Sequence, residues 1–262
     1  MRILFLGDVV GRPGRRAVAR LLPRLIEREG VDFVVANCEN ASGGKGIDPE
    51  GAEELYDAGA DVLTSGNHVW QHTAIIEYMR DHSRLLRPAN FPTGVPGIGF
   101  TVQRARRVDA AVGVVNVIGR VFMAPADCPF RVAEAAIGAV RADASVIVVD
   151  MHAEATSEKV GMGRFLDGKV SAVVGSHTHV QTADEAVLAG GTAYLTDAGM
   201  CGPEESVLGV KTEQVLRRFL TQMPTRFEVA PGPVLVQGAL IDVDATTGRA
   251  TGIRRIRERV LQ

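Results

Sequence analysis

The feature that most constrains the fold of this sequence is a series of short apolar runs, each followed by a polar loop. The runs are rich in β-branched residues and do not alternate with polar ones, which is typical of strands buried on both faces of a sheet. Helical patterns separate them, which favours an α/β fold. The runs are Arg2–Gly7, Val31–Ala36, Asp61–Thr64, Ser145–Val149, Ser171–Val174 and Thr192–Leu195.

Several helices are predicted between these runs. One begins at Pro13 and extends to Glu29, and Pro23 is expected to kink or split it. Asp48 followed by Pro49 is a favourable N-cap and first-turn pair for a helix that extends to Asp57. Two further helical patterns cover Phe130–Arg141 and Lys211–Gln222.

A second group of strands is predicted to be more antiparallel. The residues Asp244–Gly248 form a hairpin-type loop between its last two members. We therefore expect one domain, residues 1–262, in which two packed mixed β-sheets are flanked by helices. The strands of this second group are Gly97–Gln103, Ala110–Ile118, Val234–Val243 and Gly252–Val260.

Composition excludes several classes of protein. A net charge of −2 argues against a general basic surface for nucleic acid, although it allows a local basic patch. The three cysteines (Cys38, Cys128 and Cys201) are widely spaced, which disfavours a zinc knuckle or a disulfide framework and predicts a reduced, cytoplasmic protein. The first apolar run is too short for a signal peptide, and no apolar run is long enough to span a membrane.

Potential metal ligands follow five of the six apolar runs, at the strand ends where ligand sites of open α/β sheets lie. Carboxylates, imidazoles and amide oxygens suit metals such as Mn, Fe or Zn. The candidates are too many for one tetrahedral ion, so they indicate two metals that share a carboxylate, an arrangement used for displacement at phosphorus. The candidates are Asp8, Glu39, Asn40, Asn67, His68, His152, His177 and His179.

The segment Gly175–His179, "GSHTH", places two histidines two residues apart just after a run. Residues i and i+2 of a strand face the same way, so the two imidazoles could bind one ion or two adjacent ions. Two exposed loop histidines are an equally good interpretation of these five residues alone. The ligands that follow the other runs favour the metal interpretation.

Five dispersed motifs resemble those of the calcineurin-like metallophosphoesterases. Val10 and Val69 stand where most of that superfamily has His and Glu, and Asn40 directly follows Glu39. These departures, with "NASGGKGI", "NVIGRVFM" and "TDAGMCGP", make the chain similar to the YmdB-like branch, and the resemblance covers nearly its whole length. The five motifs are "GDVV" at Gly7–Val10, "NCEN" at Asn37–Asn40, "GNHV" at Gly66–Val69, "DMHAE" at Asp150–Glu154 and "GSHTH" at Gly175–His179.

The resemblance implies a four-layer αββα sandwich and a role for each candidate. Glu39 would bridge two metal ions, Fe or Mn with Zn or Mg also suitable. His68 would be no ligand but the proton donor to the leaving group, and a hydroxide between the metals would attack phosphorus. The implied ligands are Asp8, Glu39, Asn40 and His179 for the first metal, and Glu39, Asn67, His152 and His177 for the second.

Other polar residues near the motifs have two interpretations each. Lys45, in a flexible segment, and Arg120 could contact a substrate phosphate, although surface ion pairs are as good an explanation. Asp150 could orient His152 or simply end a strand. Trp70 is predicted to pack in the core rather than stack on a base. His72, His82 and Cys38 are predicted not to be ligands, and Arg254–Val260 to be a solvated edge strand.

The residues alone support a binuclear hydrolase. The resemblance implies, more narrowly, a phosphodiesterase that hydrolyses 2′,3′-cyclic nucleotides. The alternatives are a phosphomonoesterase or nuclease with the same site, and a metal-bearing scaffold that regulates RNA turnover or signalling. The expected partner is a small phosphodiester or nucleotide substrate, with neither a membrane nor stably bound nucleic acid, and a homo-oligomer is compatible with the sequence.

Overall fold

The computed structural model describes residues 1–261, which form two mixed sheets and six helices. In chain order the elements are β1 (Arg2–Leu6), β2 (Asp8–Val9), α1 (Gly11–Glu29), β3 (Phe33–Asn37), α2 (Pro49–Asp57), β4 (Val62–Thr64), α3 (Ala74–Asp81), β5 (Phe100–Arg104), β6 (Ala111–Ile118), α4 (Pro129–Val140), β7 (Val146–His152), α5 (Thr156–Phe165), β8 (Ala172–Ser176), β9 (Ala186–Val187), β10 (Ala193–Leu195), β11 (Met200–Pro203), α6 (Thr212–Thr221), β12 (Val234–Val243) and β13 (Ala250–Val260).

Both sheets combine parallel and antiparallel strand pairs. The first sheet has the order β2-β11-β12-β1-β3-β4, and β13 pairs with β12 as an edge strand. Its strands β1, β3 and β4 are parallel. The second sheet has the order β5-β6-β7-β8-β10-β9, in which the four middle strands are parallel and β5 and β9 are antiparallel to their neighbours.

Three apolar layers hold the sheets and helices together. In β1, Ile3 and Phe5 face the layer between the two sheets, whereas Leu4 and Leu6 face α1 and α2. In β7 the even-numbered valines face the same central layer and the odd-numbered residues face α4 and α5. This strict alternation buries both faces of both sheets. The predicted αββα architecture is thereby confirmed.

The grouping of the antiparallel strands was wrong. The β5–β6 pair lies in the second sheet, where β6 also runs parallel to β7. The β12–β13 pair lies in the first sheet, because β12 pairs antiparallel with the N-terminal strand β1, with Ile3 opposite Ile241. Only the hairpin itself is local, and its loop forms as predicted, with Gly248 N–H donating to Asp244 O (2.8 Å).

The helices agree with the predicted patterns within one or two residues. Asp48 Oδ1 caps α2 by accepting from Gly51 N–H (2.8 Å). Helix α1 begins at Gly11 and continues past Pro23, which lies on its exposed side and does not split it. The patterns did not predict α3 and α5. Among the described residues no helix has the length and apolarity that crossing a membrane requires, and the three cysteines are unpaired.

Candidate metal centre

Strands of both sheets end at one edge of the sandwich, and their polar side chains meet there. The first sheet contributes the residues after β1, β3 and β4, and the second contributes those at the ends of β7 and β8. His152 Nε2 lies 3.1 Å from Glu39 Oε1, and His177 N–H donates to Asp8 Oδ2 (3.0 Å), so the two sheets are joined at this edge. All eight candidates from the sequence lie in this cluster. They are Asp8, Glu39, Asn40, Asn67, His68, His152, His177 and His179.

The most buried part of the site is a group of four side chains around Glu39. His152 Nε2 lies 3.0 Å from His177 Nδ1 and 3.3 Å from Asn67 Oδ1. One donor atom from each of Glu39, His152 and His177 lies within 4.8 Å of the other two. The lone pairs of nitrogen and oxygen atoms this close repel one another unless a proton or a cation lies between them. The group is therefore suited to binding a cation.

A hydrogen-bond relay behind His152 determines which ring nitrogen carries the proton. Ser176 Oγ–H donates to Asp150 Oδ1 (2.6 Å), so this hydroxyl accepts from His152 Nδ1–H (2.9 Å). Asn37 Nδ2 donates to Asp150 Oδ2 (3.0 Å) and holds that carboxylate in place. In its neutral form His152 therefore directs the lone pair of Nε2 toward Glu39, as a metal ligand requires, whereas without metal that nitrogen retains a proton. Asp150 thus orients His152, but through Ser176 rather than directly.

The turn after β4 allows the two sheets to approach closely at this point. A Cβ atom at Gly66 would lie 2.2 Å from His152 Nε2 and 2.3 Å from Glu39 Oε2. Glycine is therefore required there, because any side chain would occupy the space between the ligands. The same turn places His68 N–H to donate to Glu39 Oε2 (3.1 Å).

The second group of donors lies beside the first and is centred on Asp8. His179 Nε2 is 3.7 Å from Asp8 Oδ1 and 2.9 Å from Asn40 Nδ2. Asn40 Nδ2 also lies 3.3 Å from Glu39 Oε1, which connects this group to the buried one. Asp8 Oδ1 is fully buried and has no hydrogen-bond partner. A buried carboxylate oxygen without a donor is costly unless a cation lies against it.

The loop "GSHTH" does not have the geometry expected from its spacing. Strand β8 ends at Ser176, and both His177 (φ 97°) and His179 (φ 65°) adopt positive φ values. The two rings therefore reach the site through an unusual loop conformation, not through strand alternation, so that part of the prediction was wrong. Positive φ is costly for a residue other than glycine and persists only where the surroundings enforce it.

A buried ion pair enforces this loop conformation. Lys159 Nζ donates to Asp197 Oδ2 (2.6 Å), and both side chains are 1% exposed. The same oxygen accepts from Thr178 N–H (3.1 Å) and Thr178 Oγ1–H (2.7 Å), so the residue between the two histidines is held on both its backbone and its side chain. Ser176 and Asp197 lie within the quoted segments "GSHTH" and "TDAGMCGP" but had no predicted role, and Lys159 had no signal in the sequence.

Without metal, burial and neighbouring charges shift the pKa values of several side chains in the site. Burial raises the pKa of Asp8 to about 6. Burial would also raise the pKa of Glu39, but the imidazoles of His152 and His68 outweigh it and hold that pKa well below its ordinary range. Burial lowers the pKa of His152, but Glu39 outweighs this effect and raises that pKa to about 9. For His177, burial and the neighbouring His152 both lower the pKa, to about 3. The site thus retains protons that a metal would displace.

His68 lies at the edge of the donor groups and faces an open cavity of about 760 Å³. Its Nδ1 lies 3.0 Å from Asn40 Oδ1 and 3.2 Å from Glu39 Oε1, which leaves Nε2 available to a bound molecule. Lys45 lines this cavity, as does His72, whose Nε2 lies 3.0 Å from Lys45 O.

Two other residues singled out from the sequence lie away from the cavity. Arg120 is exposed and does not line it, and its backbone N–H donates to Glu158 Oε2 (3.0 Å). Trp70 packs against the helix-side core with its ring 6.4 Å from that of Phe91, which agrees with the packing interpretation. Cys38 is likewise buried in that core.

The arrangement fits metal ions in both donor groups. The unpartnered Asp8 oxygen and the directed lone pair of His152 are the features that a cation would satisfy. No cysteine sulfur takes part among the candidate ligands, so the donors are nitrogen and oxygen only, which suits metals of intermediate softness.

Comparisons with known proteins agree with this geometry. A family model described as YmdB-like protein matches residues 4–256. The chain is 46% identical to the 2′,3′-cyclic-nucleotide 2′-phosphodiesterase of Bacillus subtilis (strain 168), over 98% of this chain and 96% of that protein. A crystal structure of a novel phosphatase from Mycoplasma pneumoniae is 33% identical, with a TM-score of 0.92 over 99% of this chain and 93% of the other. The 5′-nucleotidase of Candida albicans, at 10% identity and a TM-score of 0.56 over 98% of this chain and 50% of that one, shares the fold alone.

Proposed function

The chain belongs to the YmdB-like family and is a phosphoesterase, and from this premise we propose that it opens 2′,3′-cyclic nucleotides at a centre of two metal ions. The observation that carries the proposal is the continuous set of donors in which Glu39 contacts both groups. The name of the Bacillus subtilis relative supports the cyclic substrate. Cleavage at the 2′ ester would leave a nucleoside 3′-phosphate.

Each metal would have its own ligands from this chain. Glu39 is shared because Oε1 lies 3.1 Å from His152 Nε2 in one group and 3.3 Å from the Asn40 amide in the other. Asn40 would bind its ion through Oδ1, because an amide nitrogen has no lone pair available to a metal. Bound metals supply Lewis acidity toward the phosphoryl oxygens. Fe or Mn suits the mixed nitrogen and oxygen set, and Zn or Mg is also compatible. The proposed ligands are Asp8, Glu39, Asn40 and His179 for one ion, and Glu39, Asn67, His152 and His177 for the other.

His68 is the proposed proton donor to the leaving 2′ oxygen. Its ring is held at Nδ1 by Asn40 and Glu39, and 28% of its side chain remains exposed toward the cavity. An imidazole can donate a proton near neutral pH, and such a transfer contributes about 10²–10⁴-fold in rate. Lys45, which lines the same cavity, is the proposed contact for a non-bridging phosphate oxygen. The position of Arg120 does not support the same role for it.

A chromatographic assay tests the proposal. Metal-loaded protein is incubated in parallel with 2′,3′-cyclic AMP, 3′,5′-cyclic AMP and AMP, with a chelator control. We expect chelator-sensitive opening of the 2′,3′ ring to 3′-AMP, while AMP is left intact. Release of phosphate from AMP without ring opening would instead identify a monoesterase. Metal binding without turnover of any of the three would favour a regulatory scaffold.

A further inference from the structure

A second cavity lies beside the one at the metal centre. It has a volume of about 570 Å³ and shares a wall with the first. That wall is formed by Gly43, which adds no side chain, and by the segment Arg226–Val229. We call the two adjacent cavities the groove, whose lining extends from His68 to Arg12 at the start of α1. A mononucleotide bound at the metals would leave the far end of this groove unfilled.

The second cavity carries an excess of positive charge. Its charged lining residues are Arg12, Lys211, Arg226 and one carboxylate, Glu228. Glu228 is paired with Lys211 Nζ (2.6 Å), so the charges of those two residues compensate each other. Neither arginine forms an ion pair within residues 1–261, and both are exposed. In a chain whose net charge is −2, this is a local cationic site that suits one phosphate.

An exposed aromatic ring lies on the wall that the two cavities share. Phe227 is 42% exposed and lines both cavities. Its segment is held at the next residue, where Lys211 N–H donates to Glu228 O (3.0 Å) and Glu228 N–H donates to Gln214 Oε1 (2.8 Å). An apolar ring fixed in the wall of a polar groove is a platform on which a base of any sequence can stack.

We propose that the groove binds a second nucleotide, linked to the 5′ oxygen of the reacting one, so that the substrate is a short oligonucleotide ending in a 2′,3′-cyclic phosphate. This rests on the proposed function and narrows its substrate. The linking phosphate contacts Arg12 and Arg226, and the base of the second nucleotide stacks on Phe227. A single second phosphate requires no broad basic surface, in agreement with the composition.

The test compares three substrates with the metal-loaded enzyme. They are 2′,3′-cyclic AMP, the same nucleotide with a 5′-phosphate, and the dinucleotide ApA with a terminal 2′,3′-cyclic phosphate. The second and third share the 5′ phosphate, and only the third has a second base. We expect kcat/KM to increase about tenfold on adding the phosphate and by a similar factor on adding the second nucleoside.

Variants test which residue is responsible for each increase in kcat/KM. Arg226→Gln and Arg12→Gln should each remove most of the gain from the phosphate, and Phe227→Ala should remove the gain from the second base. All three should change kcat/KM for plain 2′,3′-cyclic AMP by less than about twofold. Arg24→Gln, an exposed arginine of α1 outside the groove, is the matched control and should change nothing. The advantage of the dinucleotide should also decrease with salt.

The outcomes distinguish failure of the groove proposal from failure of the proposed function. Turnover of 2′,3′-cyclic AMP with equal kcat/KM for the dinucleotide would overturn the groove and leave the proposed function standing. So would a dinucleotide advantage that persists in the Arg12→Gln, Arg226→Gln double variant. If the 5′-phosphate increased kcat/KM but the second nucleoside gave no further increase, the site would bind only a phosphate and stacking on Phe227 would be refuted. Absence of turnover of all three would overturn the proposed function and this substrate with it.

Discussion

The candidate metal centre has a closed side and an open side, built in different ways. On the closed side Glu39 and His152 are almost fully buried, and every polar atom behind His152 has a partner in the relay of Ser176, Asp150 and Asn37. On the open side His68 faces a cavity whose far walls are loops. Ligands that must keep fixed positions lie where two sheets meet, whereas substrate contacts lie on segments that can vary.

The backbone of the open side differs accordingly. Gly43, Gly44 and Gly46 all adopt positive φ. A Cβ at Gly43 would meet nothing within 4 Å, so space is available there, whereas one at Gly66 on the closed side would collide with two ligands. The comparison predicts that substitutions on the closed side change metal binding first. Those on the open side should change turnover or substrate choice while metal remains bound.

The largest effect is expected from removing a ligand on the closed side. His152→Ala leaves Glu39 and His177 without the nitrogen that lies between them, so we expect loss of metal from the buried group and a decrease in activity of at least about 10³-fold. Metal content by elemental analysis and kcat/KM on the same preparation check this. Full metal content in His152→Ala would show that the buried group is not a ligand set.

The opposite result is expected for the open side. His68→Ala should retain both metals and lose about 10²–10⁴-fold in kcat, because it removes a proton donor rather than a ligand. The matched control is His72→Ala, which removes an imidazole that lines the same cavity and contacts only backbone oxygens. It should cost little. If His68→Ala lost metal while its kcat per bound metal was unchanged, His68 would be a ligand and the distinction between the two sides would fail.

The strands and the cluster of candidate ligands could be predicted from the sequence, because both have local signals. The β-branched runs before Asp8 and Glu39 are buried strands, and the polar residue after each run lies at the edge where parallel strands end. The partner of β12 could not be predicted in this way. Its pairing with β1 joins residues about 240 apart in the chain, and nothing in a local pattern specifies that partner.

The conformation of "GSHTH" shows a second limit. The spacing of His177 and His179 predicted that both rings lie at one site, and they do. The reason was different, because both residues adopt positive φ values instead of continuing the strand. Such values are rare outside glycine and depend on distant residues, here Lys159 and Asp197. Lys159, on α5, was invisible to motif analysis since a buried lysine has no sequence signature of its own.

An intermediate effect tests the relay behind the closed side. Ser176→Ala removes the acceptor of His152 Nδ1–H and the donor to Asp150, so the ring loses its fixed tautomer. We expect metal affinity to decrease by about 10–100-fold, measured by titration of chelated protein. Ser65→Ala is the control, because Ser65 is also buried and donates to a backbone oxygen, Leu86 O (2.7 Å), away from the ligands. Equal losses in both variants would mean general destabilisation.

The smallest effect expected is a change of metal binding with pH. Without metal, Asp8 (pKa about 6) and His152 (pKa about 9) both bind protons more tightly than in the unfolded chain, where their ordinary values are 3.8 and 6.5. The stability that these protons contribute is therefore lost as pH increases, between about 4 and 6 for Asp8 and between 6.5 and 9 for His152. The lowered pKa of His177 (about 3) acts in the opposite sense below its ordinary value of 6.5, so the upper window reports His152 alone. Metal binding displaces the same protons, so metal affinity should increase with pH in the upper window.

Melting curves recorded from pH 4 to 9, with saturating Mn²⁺ and with a chelator, measure this directly. The difference in Tm between the two conditions should widen as pH increases, because only the chelated protein loses stability. Asp8→Asn cannot titrate at that position, so it should lack the change between pH 4 and 6 and retain the one assigned to His152. A Tm difference independent of pH would mean that metal and protons do not compete, and His152 Nε2 would then not be directed at a metal. Because His152 belongs to the closed side, that result would also remove the distinction between a fixed side for metals and an open side for substrate.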